Sequence, residues 1–171
     1  MMDPGTYLTA VAGRLTQDGF EVTPNVVIGD RQADLWAARR KFQATKFGSV
    51  STFVVVSRHE SVDAAELAAY SSACFQAAME RTGGVRGLGS AGVCYAVCVC
   101  EHAAANLDST VETTALVKHW ASFEFPVLVD LAANSVAYNR QRAFWGAAYI
   151  RGFRKAADKW LQPGGSRVPT D

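Results

Sequence analysis

The cysteines are the residues whose type is best suited to binding a metal. Cys94, Cys98 and Cys100 have even spacing on one predicted strand, so they share a face, and Cys74 lies on the buried side of the preceding helix. Alternate strand residues are roughly 6 to 7 Å apart, too far for neighbouring ligands of tetrahedral zinc, and no C-x-x-C pair is present. We therefore predict buried, reduced thiols, no metal and a cytoplasmic location.

Other motifs that carry chemistry are absent or wrongly placed. His59, His102 and His119 are scattered and form neither H-E-x-x-H nor H-x-H, and no serine lies in G-x-S-x-G. The stretch 87–92 matches G-x-G-x-x-G, but a helix precedes it and a strand follows, the reverse of a dinucleotide site. We predict no nucleotide cofactor and a flexible connector over 83–92.

Basic and aromatic residues alternate in the last predicted helix. The aromatic residues Trp145, Tyr149, Phe153 and Trp160 follow helical spacing and face either the core or a second copy of the chain. Phosphate contact with stacking is the alternative. The candidate nucleic-acid-binding residues are Arg39, Arg40, Lys41, Lys46, Arg151, Arg154 and Lys155.

Length and composition indicate what kind of domain carries these residues. The chain has 171 residues, of which 49% are hydrophobic, and a net charge of +1, which favours one folded domain with no bulk attraction to polyanions. We predict a single domain over 1–162 and a flexible tail over 163–171. Uninterrupted apolar runs are short, so no membrane span is expected.

Hydrophobic periodicity predicts the order α, β, β, β, α, β, α, β, β, α. The first helix begins at Asp3-Pro4 and is followed by a hairpin (20–28 and 32–41), a central strand (52–57) and a helix from Asp63 to about Arg81. A strand follows over 93–100. A capping box at Ser109 and Glu112 predicts a helix through Trp120, before a hairpin (127–131 and 136–138) and a helix over 141–162. The result is an α/β fold whose mixed central sheet is flanked by helices.

The first 100 residues resemble the PD-(D/E)XK, or restriction-endonuclease-like, superfamily. The resemblance lies in Gly19-Phe20-Glu21-Val22, in the strand Gly29-Asp30-Arg31-Gln32-Ala33-Asp34-Leu35-Trp36-Ala37 and in Phe53-Val54-Val55-Val56. It implies an α-β-β-β-α-β core over about 5–100, followed by a C-terminal extension over about 101–162. It places Asp34 at the position of the metal-binding aspartate. It also implies that an acid and a lysine on the next strand would complete a Mg²⁺ site.

The third strand lacks those partners. It reads Val56-Ser57-Arg58, and arginine is not a base near neutral pH. Glu21 or Glu60 could take the second acidic role, so Asp34, Glu21, Glu60 and Arg58 are the catalytic candidates. Asp34 could instead form an ordinary cross-strand ion pair with Arg31, Arg39 or Arg58.

Three functions follow from these observations. The first is a nuclease-like domain with a degenerate site that binds or assembles without cleaving. The second is a divergent Mg²⁺-dependent nuclease that uses Asp34 with Glu21 or Glu60. The third is a self-assembling structural protein that uses the C-terminal aromatic helix. The partners expected are a second copy of the chain and, as an alternative, nucleic acid.

Overall fold

The computed structural model describes residues 2–43, 48–82, 90–119, 121–142 and 147–164. Within these residues the chain forms four helices, α1 (Pro4–Gln17), α2 (Ala64–Thr82), α3 (Leu107–Thr113) and α4 (Ala147–Leu161). Seven strands form one sheet, namely β1 (Glu21–Ile28), β2 (Arg31–Gln43), β3 (Gly48–Arg58), β4 (Ser90–Cys100), β5 (Lys118–His119), β6 (Ser122–Asp130) and β7 (Ser135–Tyr138). The predicted α/β fold with a mixed central sheet is confirmed.

The sheet combines an antiparallel and a parallel half. Its order is β1-β2-β3-β4-β6-β5, and β7 also pairs with β6. The chain runs β1, β2 and β3 as an antiparallel meander, whereas β3, β4 and β6 are parallel to one another. The carboxyl ends of β3, β4 and β6 therefore meet at one edge of the sheet.

Helices cover both faces of the sheet. Tyr7 of α1 and Trp160 of α4 pack in one buried cluster with Val54 and Tyr95, whereas Tyr70 of α2 belongs to a cluster on the opposite face. Both clusters draw on β3, because its neighbouring residues point to opposite sides. The prediction of a strand covered on both faces is confirmed. Among the described residues, no helix has the length and apolar character needed to cross a membrane.

Local capping explains where α1 and α2 begin. The Asp3 carboxylate accepts the Thr6 N–H at 2.9 Å, and Pro4 occupies the first turn of α1, where its missing N–H costs nothing. The Asp63 carboxylate accepts the Glu66 N–H at 2.8 Å at the start of α2. The Glu66 side chain does not return the bond but pairs with Arg31 of β2, so half of the predicted capping box forms.

The region around α3 differs from the prediction. The helix begins two residues before Ser109 and ends at Thr113, and the predicted helical segment up to Trp120 is wrong for residues 114–119. Leu107 of α3 packs on the α2 side of the sheet, whereas Leu116 packs on the other side. A continuous helix could not place both residues, so the chain becomes extended and adds β5 at the sheet edge.

Pro126 lies inside β6, although the sequence indicated that it would precede the strand. β5 pairs with residues 122 and 123 of β6, and β7 pairs with residues 127–130. The Glu124 N–H donates to the Val117 carbonyl on that side. Because N–H directions alternate along a strand, the Pro126 nitrogen points the same way, into the gap between β5 and β7, where no donor is needed.

Three further boundaries are corrected. β4 begins at Ser90, so Gly92 is a strand residue rather than part of a connector, and residues 83–89 lie outside the described residues. A Cβ on Gly92 would stand 3.3 Å from the Met79 and Ser122 side chains, which explains the glycine in a crowded strand. α4 begins at Ala147, not at 141. Pro163, predicted to begin the tail, is buried, and residues 165–171 lie outside the description.

Candidate functional site

Asp34 lies where β2 and β3 separate. The last residue pair of their ladder is Leu35 with Val56, and beyond it the Asp34 carboxylate replaces a backbone acceptor. Its Oδ2 accepts the Arg58 N–H at 2.7 Å, and its Oδ1 accepts the guanidinium Nε at 3.0 Å and Nη2 at 2.6 Å. The bond to Asp34 raises the pKa of Arg58. Both carboxylate oxygens are therefore engaged by a single residue.

Of the three arginines considered as partners for Asp34, only Arg58 pairs with it. Arg31 pairs with Glu66 of α2, and Arg39 pairs with Asp18 after α1. The cross-strand ion pair considered from the sequence thus exists, at the position where the resemblance implies a metal ligand.

A cavity of about 510 Å³ opens beside this ion pair. It lies at the carboxyl ends of β3 and β4 and is lined by Asp34, Arg58, His59, Glu60 and Glu101, with Pro4 and Val99. His59 and Glu101 were not identified as site residues from the sequence. Their signal was their position directly after two neighbouring parallel strands, whose carboxyl ends commonly carry sites.

The candidate acids separate into two places. Glu60 lines the cavity with Asp34. Glu21 pairs with Ala38, four residues along β2 from Asp34, which corresponds to roughly 13 Å of strand. The combination of Asp34 with Glu21 is therefore not brought together, whereas the combination with Glu60 is.

His59 is a further polar residue at this edge. Its Nε2 atom is buried and, among the described residues, has no hydrogen-bond partner. The ring packs edge-on against Tyr70, with centroids 5.5 Å apart. Burial lowers the pKa of His59, so the imidazole is neutral at pH 7.

The residues present do not fit the divalent metal that the resemblance implies. Within the described chain, no group of three or more His, Cys, Asp or Glu residues is arranged to hold a metal ion. The Arg58 guanidinium takes both oxygens of the one acid in the expected place, and β3 offers Ser57 and Arg58 instead of an acid and a lysine. This arrangement can bind through charge and hydrogen bonds, and the Asp34 oxygens are occupied by Arg58.

A second polar cluster lies at the opposite end of β6. The buried Glu124 carboxylate accepts the Ser71 hydroxyl at 3.2 Å and lies 2.7 Å from Nε2 of His119, whose ring stacks on Phe75. The carboxylate is in the middle of this chain of contacts, whereas a nucleophilic triad needs the histidine there. The sequence did not reveal this cluster, because its members come from three separate elements.

The candidate basic residues have two kinds of surroundings. Three of them are engaged within the fold: Arg39 with Asp18, Arg40 with the Ser49 hydroxyl, and Arg154 with carbonyl groups of Asn139 and Gln141. The other described candidates, Lys41, Arg151 and Lys155, are exposed. Lys46 lies outside the described residues.

The aromatic residues of the last helix turn largely inward. Trp160 is buried and packs edge-on against Phe20 at 4.9 Å, and Phe153 is half-buried against the same core. Of the two alternatives, core or second copy, Trp160 takes the core. Tyr149 is 43% exposed, and Trp145 lies outside the described residues.

The cysteines behave as predicted for core residues. Cys74, Cys94, Cys98 and Cys100 are free, buried and members of one cluster between α2 and the sheet. Burial raises the pKa of the Cys74 thiol to about 12 and that of Cys100 to about 11, and it raises those of Cys94 and Cys98 as well. The thiols are therefore neutral and weakly nucleophilic.

Comparison of the chain with protein-family models, curated proteins and solved structures finds no match in any of the three.

Proposed function

We propose that this chain is a nuclease-like α/β domain that does not cleave and acts as a binding or assembly module. The observation that carries the proposal is the Arg58 guanidinium on Asp34, with Ser57 and Arg58 where an acid and a lysine would be needed. A fixed cation on that carboxylate opposes binding of a second cation.

The element order supports the nuclease-like part of the proposal. The chain runs α1, β1, β2, β3, α2, β4, which is the α-β-β-β-α-β order of the superfamily it resembles, with Asp34 on the second strand and Arg58 on the third. The cavity beside the ion pair lies at the same sheet edge as Asp34 and Arg58. The charged and polar residues that line the cavity support a domain that binds a partner but does not cleave nucleic acid.

The first prediction is that the protein has no metal-dependent nuclease activity. Single-stranded DNA, double-stranded DNA and RNA are incubated with the purified chain and Mg²⁺ or Mn²⁺, and no cleavage above background is expected on gels. Asp34→Asn and Glu60→Gln variants serve as controls, since a contaminating nuclease is unaffected by either. Cleavage that both variants abolish would overturn the proposal.

One observation favours a second candidate, a divergent metal-dependent nuclease. Asp34 and Glu60 line the same cavity, and Glu101 adds a third carboxylate to it. This candidate requires Arg58 to leave Asp34 when the metal binds. Titration calorimetry with Mn²⁺ distinguishes the two, because the main proposal expects no heat of binding, whereas the alternative expects heat that Asp34→Asn removes.

The kind of partner is tested separately. Light scattering after size exclusion reports whether the chain assembles with itself. Anisotropy of a labelled single-stranded oligonucleotide reports nucleic-acid binding, which must weaken with salt if Lys41, Arg151 and Lys155 contact phosphates. If the chain neither self-associates nor binds the oligonucleotide at micromolar concentration, the remaining partner is a ligand of the cavity beside Asp34.

A further inference from the structure

A second cavity, of about 570 Å³, lies at the edge of the sheet opposite Asp34. The amino ends of β3, β4 and β6 form its floor, and one side of α4, from Ala148 to Trp160, forms its roof. Its volume is within the range of pockets that hold small molecules. It shares no lining residue with the cavity at Asp34 and does not depend on the function proposed for it.

Small residues and aromatic rings together line this cavity. Tyr95, Phe123, Phe153 and Trp160 line it, and Phe153 packs edge-on against Phe123 and Tyr95 with centroids 5.4 and 6.3 Å apart. Tyr95 and Trp160 are buried, whereas Phe123 and Phe153 are only partly buried and can contact a further aromatic ring. The walls therefore favour a flat aromatic ligand over a flexible polar one.

Gly152 keeps the helix side of the cavity open. A Cβ built on this residue would meet no heavy atom of the described residues within 4 Å, so the glycine makes no tight contact with them. Ala148, one turn earlier, also lines the cavity. A large side chain at either position would project into space that a ligand would otherwise fill.

The charge of the cavity has one sign. Among the described residues that line it, Arg39 and Lys118 are cationic and none is acidic. The Arg39 guanidinium is fixed by Asp18 and lies over the Phe20 and Trp160 rings, at 4.3 and 5.4 Å from their centroids. Lys118 is exposed on β5, at the border of the cavity. An anionic group would thus be matched at the rim of an apolar pocket.

We propose that this cavity binds a small aromatic molecule that carries a negatively charged group. The aromatic part lies between α4 and the amino ends of the parallel strands. The anionic group lies toward Lys118, because the Arg39 guanidinium is already paired with Asp18. An aromatic carboxylate, sulfonate or phosphate ester shares this chemistry.

The test uses two fluorescent probes that differ only in the charged group. One is 8-anilinonaphthalene-1-sulfonate, and the other is N-phenyl-1-naphthylamine, its uncharged parent. We expect both to bind the full chain at one site, with the sulfonate about threefold tighter, as a solvent-exposed ion pair contributes. Lys118→Gln should remove that preference without changing the affinity for the uncharged probe.

Filling the cavity should block both probes. Gly152→Phe is expected to weaken binding by about tenfold or more, which is the loss of one buried aromatic contact. Gly13→Phe is the matched control, because Gly13 is an exposed helical glycine of α1 whose Cβ would also meet nothing within 4 Å. Ala148→Phe is a second blocking variant in case Gly152→Phe does not fold, as judged by circular dichroism.

Several outcomes would overturn the inference. Binding at several weak sites, equal affinity for the two probes, or unchanged binding in both folded blocking variants would each show that the cavity does not select an aromatic anion. Failure of the wild-type chain to bind either probe would have the same meaning. Loss of binding in the blocking variants alone, with a preference for the sulfonate that depends on Lys118, supports it.

Discussion

At the scale of single residues, Asp34 joins two strands at the position where the resemblance implies a catalytic group. Its carboxylate continues the hydrogen bonding between β2 and β3 past the last backbone pair and neutralises Arg58 at the mouth of a cavity. The Asp34 side chain is 18% exposed and that of Arg58 is 53% exposed, so the backbone bond contributes more than the ion pair.

The residue-scale prediction concerns stability. Asp34→Ala should lower the free energy of unfolding by roughly 1 to 2 kcal/mol, because the Arg58 N–H loses its acceptor. Asp34→Asn should lose less, since an amide oxygen can still accept that bond. Urea denaturation measures both against Glu80→Ala, an exposed control on α2 expected to change stability by less than about 0.5 kcal/mol. An Asp34→Ala variant as stable as wild type would argue against a structural role.

The sequence identified Asp34 as the residue to examine but could not choose its partner. Arg31, Arg39 and Arg58 were all within strand distance of it, and the choice depends on where the ladder ends and on acids from α1 and α2. Asp18 and Glu66 take Arg39 and Arg31, and only the assembled helices place those acids. His59 and Glu101 were missed because loop residues after strands carry no pattern of their own.

At the scale of elements, Asp18 connects three of them. It follows α1, and its carboxylate contacts Lys159 at 2.6 Å and the Trp160 indole N–H at 2.8 Å, both on α4, and Arg39 of β2 at 3.1 Å. The bond to Lys159, with help from Trp160 and Arg39, lowers the pKa of Asp18 to about 2. A negative group at the end of a helix is unfavourable by itself, so these donors are what stabilise it.

This connection gives a prediction with a defined pH range. A carboxyl whose pKa is lowered by folding stabilises the protein above its unfolded pKa, near 3.8, and the contribution disappears as pH falls to about 2. Asp18→Asn should therefore cost roughly 1 to 2 kcal/mol at pH 7, after allowance for solvent screening, and almost nothing near pH 2. Urea titrations of the variant and of Glu80→Gln at several pH values measure this. A cost that did not shrink with acid would contradict it.

Elements with a uniform hydrophobic period could be predicted from the sequence. Elements whose limits depend on which face of the sheet an apolar residue joins could not. α1, α2, β3 and the β6–β7 hairpin follow from caps and from continuous apolar runs. The end of α3 does not, because Leu116 is apolar at helical spacing yet belongs to the other face of the sheet. Only the completed sheet decides which face an apolar residue joins.

At the scale of the whole molecule, the two faces of the sheet are completed by different parts of the chain. α2 and α3 are joined to the sheet by short crossovers and close one face locally. α1 and α4, from opposite ends of the chain, close the other face together, and the Tyr7 hydroxyl donates to the Leu161 carbonyl at 2.7 Å. Burial raises the pKa of Tyr7, so that hydroxyl remains a donor.

The reactivity of the cysteine thiols measures whether the folded domain stays closed. All four cysteines of the chain are buried with raised thiol pKa values, so none should react with Ellman's reagent in the native state at pH 8. In denaturant all four should react, at a rate that follows unfolding. One thiol reacting rapidly without denaturant would show that the α2 face opens independently.

The bond between Tyr7 and Leu161 also has a consequence for biosynthesis. A chain growing on the ribosome makes α1 long before α4, the helix that completes the surroundings of α1. Until then the apolar stripe of Tyr7, Val11 and Leu15 has only the sheet to pack on, beside an uncovered strip. Chains interrupted before α4 would therefore expose the apolar surface that α4 covers, and chaperones and quality-control proteases would bind them there.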